Sequence, residues 1–408
     1  MMKMTWVLFK LEKGALFPRG GYWPEGLDAV IPLSDGVLFK VPMAAPAKEK
    51  VVLYQRDIVS GVLSALVWLN ARGERESSLN YGAFREAMIS ESYREEHKRP
   101  LMSALPFNYH LIPEIMRYFV ISSRIKIREY FKAGKKSFPF SMFNAGCEIL
   151  FSLFGNDSPT NGAMPSLVLT HDVESAGGLL RVQEIAGIEE TYGFKSSWNI
   201  IPKRDAIDMK KIAAIAETGH EIGLHGIWHN NREAFLAEDE MRSQFRSIAP
   251  FIREFSVTGY RSPAWNRTTR MFKVLSEFFV YDSSCLDLDL MSLSGNGGVG
   301  FMRPLILDSG LIELPCTLPF EVPLYYGIRP EDLIAYWAPK IDLVRNVKGM
   351  LLVNTHPEPN YLGTKKMMRV YGKLLSRLSK EGWKPELPGR LAVEVRKCAQ
   401  ISTTSLPR

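Results

Sequence analysis

The sequence predicts an α/β fold in which residues 166–395 form a parallel sheet with covering helices, preceded by a mixed N-terminal region in residues 1–155. Short apolar runs alternate with helical patterns along the second half of the chain, as is typical of parallel sheets. A turn-forming segment, residues 156–165, separates the two parts as a linker. The length of 408 residues exceeds the roughly 250–300 residues that one core usually organises, so we expect two domains.

The composition is that of an ordinary globular protein. Hydrophobic residues make up 46% of the chain and charged residues 23%, with a net charge of +7, which excludes collagen-like, disulfide-rich and disordered chains. The basic surplus is diluted rather than concentrated in a stripe, so we expect no nucleic-acid partner. The longest apolar run, residues 58–71, is too short to span a membrane, and the chain start lacks the apolar core of a secretory signal. These features predict a cytoplasmic protein.

The N-terminal region contains two notable segments, although its role is not assigned. Ile58–Asn70 is apolar and is predicted to be a buried helix. Residues 115–136 combine basic and apolar side chains. This pattern suits either a core-packed helix with a solvated basic face or peripheral contact with an anionic membrane.

The C-terminal part begins with the apolar run SLVLT at 166–170, which predicts a buried strand. Gly219 follows a helical pattern at the position of a C-cap. Further strands are predicted at 195–200, 221–224, 256–260, 279–282 and 350–355. Helices are predicted at 179–192, 208–218, 233–255, 268–278 and 366–381, and residues 396–408 are predicted to be a tail.

The histidines and acids of this part suggest a metal site. His225 and His229 are four residues apart, and on a helical turn this spacing would place both imidazoles on one face, within reach of one metal ion. Asp172 and Glu174 follow the first apolar strand, and acids two residues apart can face the same site. One of them can complete a two-histidine, one-carboxylate metal site while the other acts as a general base.

Five segments occur in an order that resembles the motifs of the polysaccharide deacetylases, also called NodB-homology proteins or family 4 carbohydrate esterases. THDVE at 170–174 is similar to the first motif in its DVE-type variant. The others are GHEIGLHGIWHN at 219–230, GYRSPAW at 259–265, YDSS at 281–284 and LLVNTH at 351–356.

The resemblance implies a distorted (β/α) barrel with its site at the carboxyl ends of the strands. It also implies metal-dependent hydrolysis of an acetamide on an amino sugar. Asp172 would be the general base, kept ionised by Arg261, and His356 would be the general acid. The implied ligands of one divalent metal ion, zinc in the first place, are Glu174, His225 and His229.

Three residues are candidates for substrate binding. Trp228 and Trp265 carry aromatic faces that stack on sugar rings, although either can equally be a partly buried core residue. A backbone N–H between Pro263 and Trp265 could help to hold an oxyanion.

Other polar residues have structural or supporting predictions. His171 is expected to pack at the end of the first strand, and His220 is expected to have a core or loop role. Asp282 or Asp287 is expected to lie against His356 and to tune it, and the sequence does not choose between these two acids.

The leading hypothesis is a hydrolase that removes an N-acetyl group from an amino sugar or a polysaccharide precursor, with a carbohydrate as its partner. One alternative is an inactive carbohydrate-binding or scaffold protein of the same fold. Another is a hydrolase of a non-sugar amide, since one fold can host several activities. The presence of Asp172, Arg261 and His356 beside both ligand histidines favours an enzyme.

Overall fold

A computed structural model describes most of the C-terminal part of the chain and portions of the N-terminal region. The predicted linker at 156–165 lies outside the described residues, as does the basic segment at 115–136 apart from residue 123. Within the described part of the chain, no helix is long and apolar enough to cross a membrane. The described residues are 5–11, 29–33, 50–57, 63–69, 72, 75–77, 81–90, 123, 166–203, 207–287 and 298–404.

The described N-terminal strands form an antiparallel sheet. They are β1 (Thr5–Leu11), β2 (Ala29–Leu33), β3 (Lys50–Asp57), β4 (Leu63–Leu69) and β5 (Arg75–Ser77). Their order is β2-β1-β3-β4-β5. The prediction of a helix over Ile58–Asn70 is wrong for the described residues 63–69, because these form β4, which pairs with both β3 and β5. The periodicity of a short apolar run does not distinguish a buried helix from a buried strand. In this protein the pairing with neighbouring strands makes the run a strand.

The C-terminal strands form one mixed sheet that curls into a half-barrel with helices, so the predicted α/β fold class is confirmed. The strands are β6 (Ser166–Val173), β7 (Ser197–Ile200), β8 (Glu221–His225), β9 (Gly259–Arg261), β10 (Tyr281–Asp282), β11 (Leu305–Ile306), β12 (Ile312–Glu313), β13 (Leu318–Pro319), β14 (Met350–Thr355) and β15 (Lys384–Pro385). Their order is β11-β12-β10-β9-β8-β7-β6-β14-β13, and β15 pairs with the start of β6. Neighbouring strands are parallel except for β11 and β12, which are antiparallel.

Helices are found at the predicted positions 179–192, 208–218, 268–278 and 366–381, whereas those at 81–90, 176–179, 322–325, 333–346 and 388–404 were not predicted. The α-helices are α1 (Tyr81–Ser90), α2 (Ala176–Leu179), α3 (Val182–Glu190), α4 (Met209–Glu217), α5 (Glu238–Ser247), α6 (Ala249–Glu254), α7 (Thr269–Leu275), α8 (Val322–Tyr325), α9 (Leu333–Asn346), α10 (Lys365–Lys380) and α11 (Pro388–Thr404). The single helix predicted at 233–255 is wrong. A short 3-10 turn and the helices α5 and α6 replace it. The break between α5 and α6 falls just before Pro250, which lacks an N–H and is favoured in the first turn of a new helix. Helix α11 continues past residue 395, where the tail was predicted to begin.

The core lies around the two central strands. Leu167, Val168 and Leu169 of β6 are completely buried, and every residue of β14 is buried. Strands covered on both faces read as continuous apolar runs, which explains why SLVLT and MLLVNT were recognisable in the sequence. Met88 and Ile89 of α1 belong to the same hydrophobic cluster. The N-terminal region therefore contributes at least one helix to the C-terminal core.

Candidate active site

The carboxyl ends of the parallel strands bring the predicted site residues together at one edge of the sheet. Asp172 is the penultimate residue of β6, and Glu174 follows that strand directly. His225 ends β8, Arg261 ends β9 and His356 comes directly after β14. Ligands of open α/β sheets bind at this edge, so the topology places these five side chains where chemistry is expected.

Glu174, His225 and His229 form a group whose geometry fits a metal ion. Their donor atoms all lie within 4.8 Å of one another. Nε2 of His229 is 2.9 Å from Oε1 of Glu174 and 3.1 Å from Nε2 of His225, and the remaining pair is 3.5 Å apart. Tetrahedral zinc with bonds of roughly 2.0–2.1 Å requires its donors to be about 3.3 Å apart. The three donors thus have the spacing of one coordination sphere.

The backbone between the two histidines has a different conformation from the predicted one. The helical turn expected from their spacing is wrong, because His225 is the last residue of β8 and His229 lies in the following loop. Gly226 has a φ of 66° and His229 a φ of 52°, both in the left-handed region. A helix cannot continue through such residues, and the loop instead folds back so that both imidazoles point to one place.

The orientation of His225 is set by its other ring nitrogen. Nδ1 lies 3.2 Å from the backbone oxygen of Arg261. A carbonyl oxygen only accepts, so Nδ1 carries the proton and Nε2 keeps a free lone pair. Ring orientation by a backbone carbonyl is common for histidines that bind metals.

Asp172 is buried and is held by three side chains from three strands. Its Oδ1 accepts hydrogen bonds from Asn199 Nδ2 at 2.8 Å and from Arg261 Nη1 at 3.0 Å. Its Oδ2 accepts a hydrogen bond from Asn354 Nδ2 at 3.0 Å. Burial disfavours the charged form, but the Arg261 guanidinium, nearby imidazoles and the Asn199 amide outweigh burial and hold the pKa of Asp172 below its ordinary value.

His356 faces both acids of the first motif and is supported from behind by a third acid. Its Nε2 is 3.9 Å from Oδ2 of Asp172 and 3.8 Å from Oε1 of Glu174. Its Nδ1 lies 2.7 Å from Oε2 of Glu321, a buried residue whose carboxylate also accepts the backbone N–H of His356. Burial lowers the pKa of His356, but the hydrogen bond and charge of Glu321 exceed that effect and raise the pKa to about 10.

Glu321 takes the place that was predicted for Asp282 or Asp287, so that prediction is wrong. Asp282 accepts hydrogen bonds from the backbone N–H and the hydroxyl of Ser284, and Asp287 pairs with the buried Lys340. The reason is topological, because β13 lies beside β14 and a residue just past β13 therefore reaches His356. The sequence signal that could have identified Glu321 is its position two residues after the end of β13.

The aromatic candidates have contrasting environments. Trp228 is 46% exposed, and the Lys203 ammonium lies 6.0 Å from the centre of its ring. Trp265 is partly buried, and its Nε1 has no hydrogen-bond partner. Pro263 is buried, and the two residues after it, Ala264 and Trp265, both have left-handed φ angles.

His171 and His220 are both buried, where packing at the strand end was predicted for His171 and a core or loop role for His220. Nδ1 of His220 accepts the backbone N–H of Ser196 at 3.1 Å. His171 is fully buried and stacks on Trp198 at 4.0 Å between ring centres. Its Nδ1 lies 2.7 Å from the Thr355 hydroxyl and its Nε2 lies 2.8 Å from Glu189. Both histidines therefore serve the packing of helices on the sheet rather than the site at its edge.

Several supporting residues were not identified from the sequence. They share a contact with a backbone or side-chain group of the predicted site, and all of them except Asn354, which belongs to LLVNTH, lie outside the five motif segments. They are Asn199, Glu233, Glu321, Asn354 and Glu358.

The chain has low sequence identity to the known proteins that are similar to it. No protein-family model matches the chain. The chain is 23% identical over 202 residues to a peptidoglycan deacetylase from Helicobacter pylori, which covers 42% of this chain and 68% of that protein. A solved structure assigned as a polysaccharide deacetylase from Mycobacterium smegmatis is 21% identical with a TM-score of 0.48, covering 60% of this chain and 93% of that one. A CE4 family pseudoenzyme from Bacillus anthracis is 16% identical with a TM-score of 0.40, covering 57% of this chain and 66% of that one. The chain is thus similar in sequence to a peptidoglycan deacetylase.

Proposed function

We propose that this protein is a metal-dependent hydrolase that removes an N-acetyl group from an amino sugar or a polysaccharide precursor. One observation carries the proposal. The group formed by Glu174, His225 and His229 lies between an acid held by Arg261 and an imidazole held by Glu321. This arrangement supplies a metal site, a proton acceptor and a proton donor within one cluster.

The residues divide the hydrolysis of an acetamide between them. A divalent ion held by the three ligands would supply Lewis-acid polarisation of the acetamide carbonyl. Asp172 accepts a proton from the water whose oxygen bonds to the carbonyl carbon. His356 donates a proton from Nε2 to the amine nitrogen as the carbon–nitrogen bond breaks. The products are acetate and the free amino sugar.

The aromatic side chains support a sugar as substrate. Trp228 lies in the loop between His225 and His229 and exposes 46% of its surface, so its ring face is available to a sugar ring. Trp265 follows the strand that carries Arg261 and is only partly exposed. We assign Trp228 to substrate binding first, and Trp265 with Pro263 to the wall of the same site.

The direct test is acetate release from a panel of N-acetylated amino sugars, sugar nucleotides and peptidoglycan fragments, with and without a chelator. We expect acetate release that is lost with the chelator and restored by a divalent ion. Asp239→Asn, at a side chain that is 98% exposed, is a control that should leave the rate unchanged. A metal-loaded protein that releases no acetate from any member of the panel would contradict the deacetylase and leave the non-sugar amide or the binding role.

A further inference from the structure

A buried glutamate holds the loop between the two histidine ligands. Oε1 of Glu233 accepts the backbone N–H groups of Ile227 at 3.0 Å and of Trp228 at 2.9 Å. Glu233 is 3% exposed. These two amides lie between His225 and His229, so the Glu233 carboxylate holds the backbone of the loop in the folded-back conformation that brings the two imidazoles together.

A second buried glutamate holds the backbone at the third ligand. Oε1 of Glu358 accepts the backbone N–H of Glu174 at 2.7 Å and the hydroxyl of Ser175 at 3.3 Å. Glu358 is 5% exposed and comes from the segment after β14. The same oxygen therefore holds the backbone of Glu174, the residue that follows β6 and carries the carboxylate ligand.

Each of these carboxyl groups lies against a glycine that leaves room for it. A Cβ on Gly226 would lie 2.4 Å from Oε2 of Glu233, and a Cβ on Gly178 would lie 2.3 Å from Oε1 of Glu358. Such separations are far below van der Waals contact. The backbone around both carboxyl groups is thus shaped to accept them.

We propose that Glu233 and Glu358 are positioning residues that preset the three donor atoms for the metal ion. Without Glu233, two amides of a loop with left-handed residues lose their acceptor. Without Glu358, the backbone N–H of Glu174 loses its acceptor in the segment after β14. This inference rests on the metal site of the proposed function, but not on which amide is hydrolysed.

The test is a titration of the full-length, metal-free protein with Zn²⁺ against a chromophoric chelator. Glu233→Ala and Glu358→Ala are expected to weaken zinc binding by about 10–100-fold, as loss of supporting contacts around a metal site usually does. Glu233→Gln should remain within about threefold of the wild type, because its amide oxygen can accept the same two N–H groups. Glu240→Ala, at an exposed glutamate, is the control.

A glycine pair tests the same idea without removing a carboxyl group. Gly178→Ala should displace Glu358 from the Glu174 amide and weaken zinc binding. Gly187→Ala is the matched control, since a Cβ there meets nothing within 4 Å. Hydrogen exchange of the metal-free protein adds a second readout, because Glu233→Ala should speed exchange at Ile227 and Trp228.

The outcomes separate this inference from the proposed function. Variants that lower the melting temperature but bind zinc like the wild type would overturn the positioning role. A wild-type protein that binds no zinc or other divalent ion would overturn both the metal site and this inference. Normal zinc binding with the expected losses in the variants, but no acetate release, supports the inference and overturns only the deacetylase.

Discussion

Asp172 accepts hydrogen bonds from Asn199, Arg261 and Asn354, which belong to β7, β9 and β14. Substitution by Asn keeps the size of the side chain and removes its capacity to accept a proton. We expect Asp172→Asn to lose on the order of 10²–10⁴-fold in the rate of acetate release, the range typical of one general acid or base. Metal analysis should show unchanged metal content, and a variant that keeps its rate would contradict the role of Asp172 as the base.

The distinction between ligand and base can be tested with two alanine variants. Oε1 of Glu174 is 2.9 Å from Nε2 of His229 and 3.5 Å from Nε2 of His225. Oδ1 of Asp172 is instead 4.0 Å from Nδ1 of His225, the ring nitrogen that faces away from the metal site. Glu174→Ala should therefore lose the metal ion, and Asp172→Ala should keep it. Elemental analysis after dialysis measures both, and the opposite result would exchange the two roles.

Glu321 supports His356 through Nδ1 and through the backbone amide of the same residue. Glu321→Gln removes the charge that favours the protonated imidazole and retains an acceptor. We expect a loss of about 10–10²-fold in kcat, part of the contribution of the general acid itself, with KM little changed. Steady-state kinetics measure this, and Asp282→Asn is the comparison, because Asp282 has no contact with His356. A larger loss in Asp282→Asn than in Glu321→Gln would restore the role first predicted for Asp282.

Among the secondary-structure elements, a single carboxylate joins two helices to the sheet. Glu189 of α3 contacts His171 of β6 at 2.8 Å, and it accepts the hydroxyl of Tyr371 in α10 at 2.6 Å and that of Ser196 at 2.6 Å. Glu189→Ala would leave several buried polar groups without a partner, at about 1–3 kcal/mol each. We expect a decrease of roughly 3 kcal/mol or more in the free energy of unfolding, measured with urea. Glu184→Ala, at an exposed position on the same helix, should change it by less than about 0.5 kcal/mol.

The same carboxylate predicts a pH dependence of stability. Burial disfavours ionised Glu189, but His171 and the hydroxyl hydrogen bonds outweigh burial, so the pKa of Glu189 lies below its ordinary value of 4.5. The unfolded chain then binds a proton more readily than the folded one, and stability rises with pH in this range. The contribution of Glu189 is present above pH 4.5 and is lost as the pH falls below it. Urea unfolding at pH 6 and pH 4 should show a smaller difference for Glu189→Gln than for the wild type.

The sequence predicted the elements whose signals are local. The apolar runs of β6 and β14 and the helix that ends before Gly219 appear where expected, because burial on both faces and a C-terminal glycine are visible in the local sequence. The path from His225 to His229 and the support of His356 by Glu321 were missed. The first depends on the left-handed backbone of the loop after β8 and the second on which strands lie side by side, and residue spacing contains no information on either.

For the whole molecule, one helix of the N-terminal region belongs to the C-terminal core. Met88 is 2% exposed, and the backbone oxygen of Ile89 accepts a hydrogen bond from Arg267 at 3.3 Å. Met88→Ala should lower the free energy of unfolding of the C-terminal sheet by about 2–5 kcal/mol, the usual cost of a large-to-small core substitution. Fluorescence of the buried Trp198 and Trp337 can report this, and Met209→Ala, at a side chain that is 37% exposed, is the control. An unchanged midpoint in Met88→Ala would favour a C-terminal domain that stands without α1.

The position of β6 affects how the protein is made. This first strand of the half-barrel lies in the interior of the sheet, and its neighbour β14 is separated from it by 184 residues, as at the pair Thr170 and Asn354. A ribosome must therefore synthesise almost the whole unit before the strand is flanked on both sides. Contacts so distant along the chain form slowly, and the unpaired edge of β6 is exposed to other chains in the meantime. A nascent or truncated chain that stops before β14 lacks His356 and Glu358 together, so it lacks both the proposed general acid and a proposed positioning residue, and its unpaired strand edge would make it a target for chaperones and proteases.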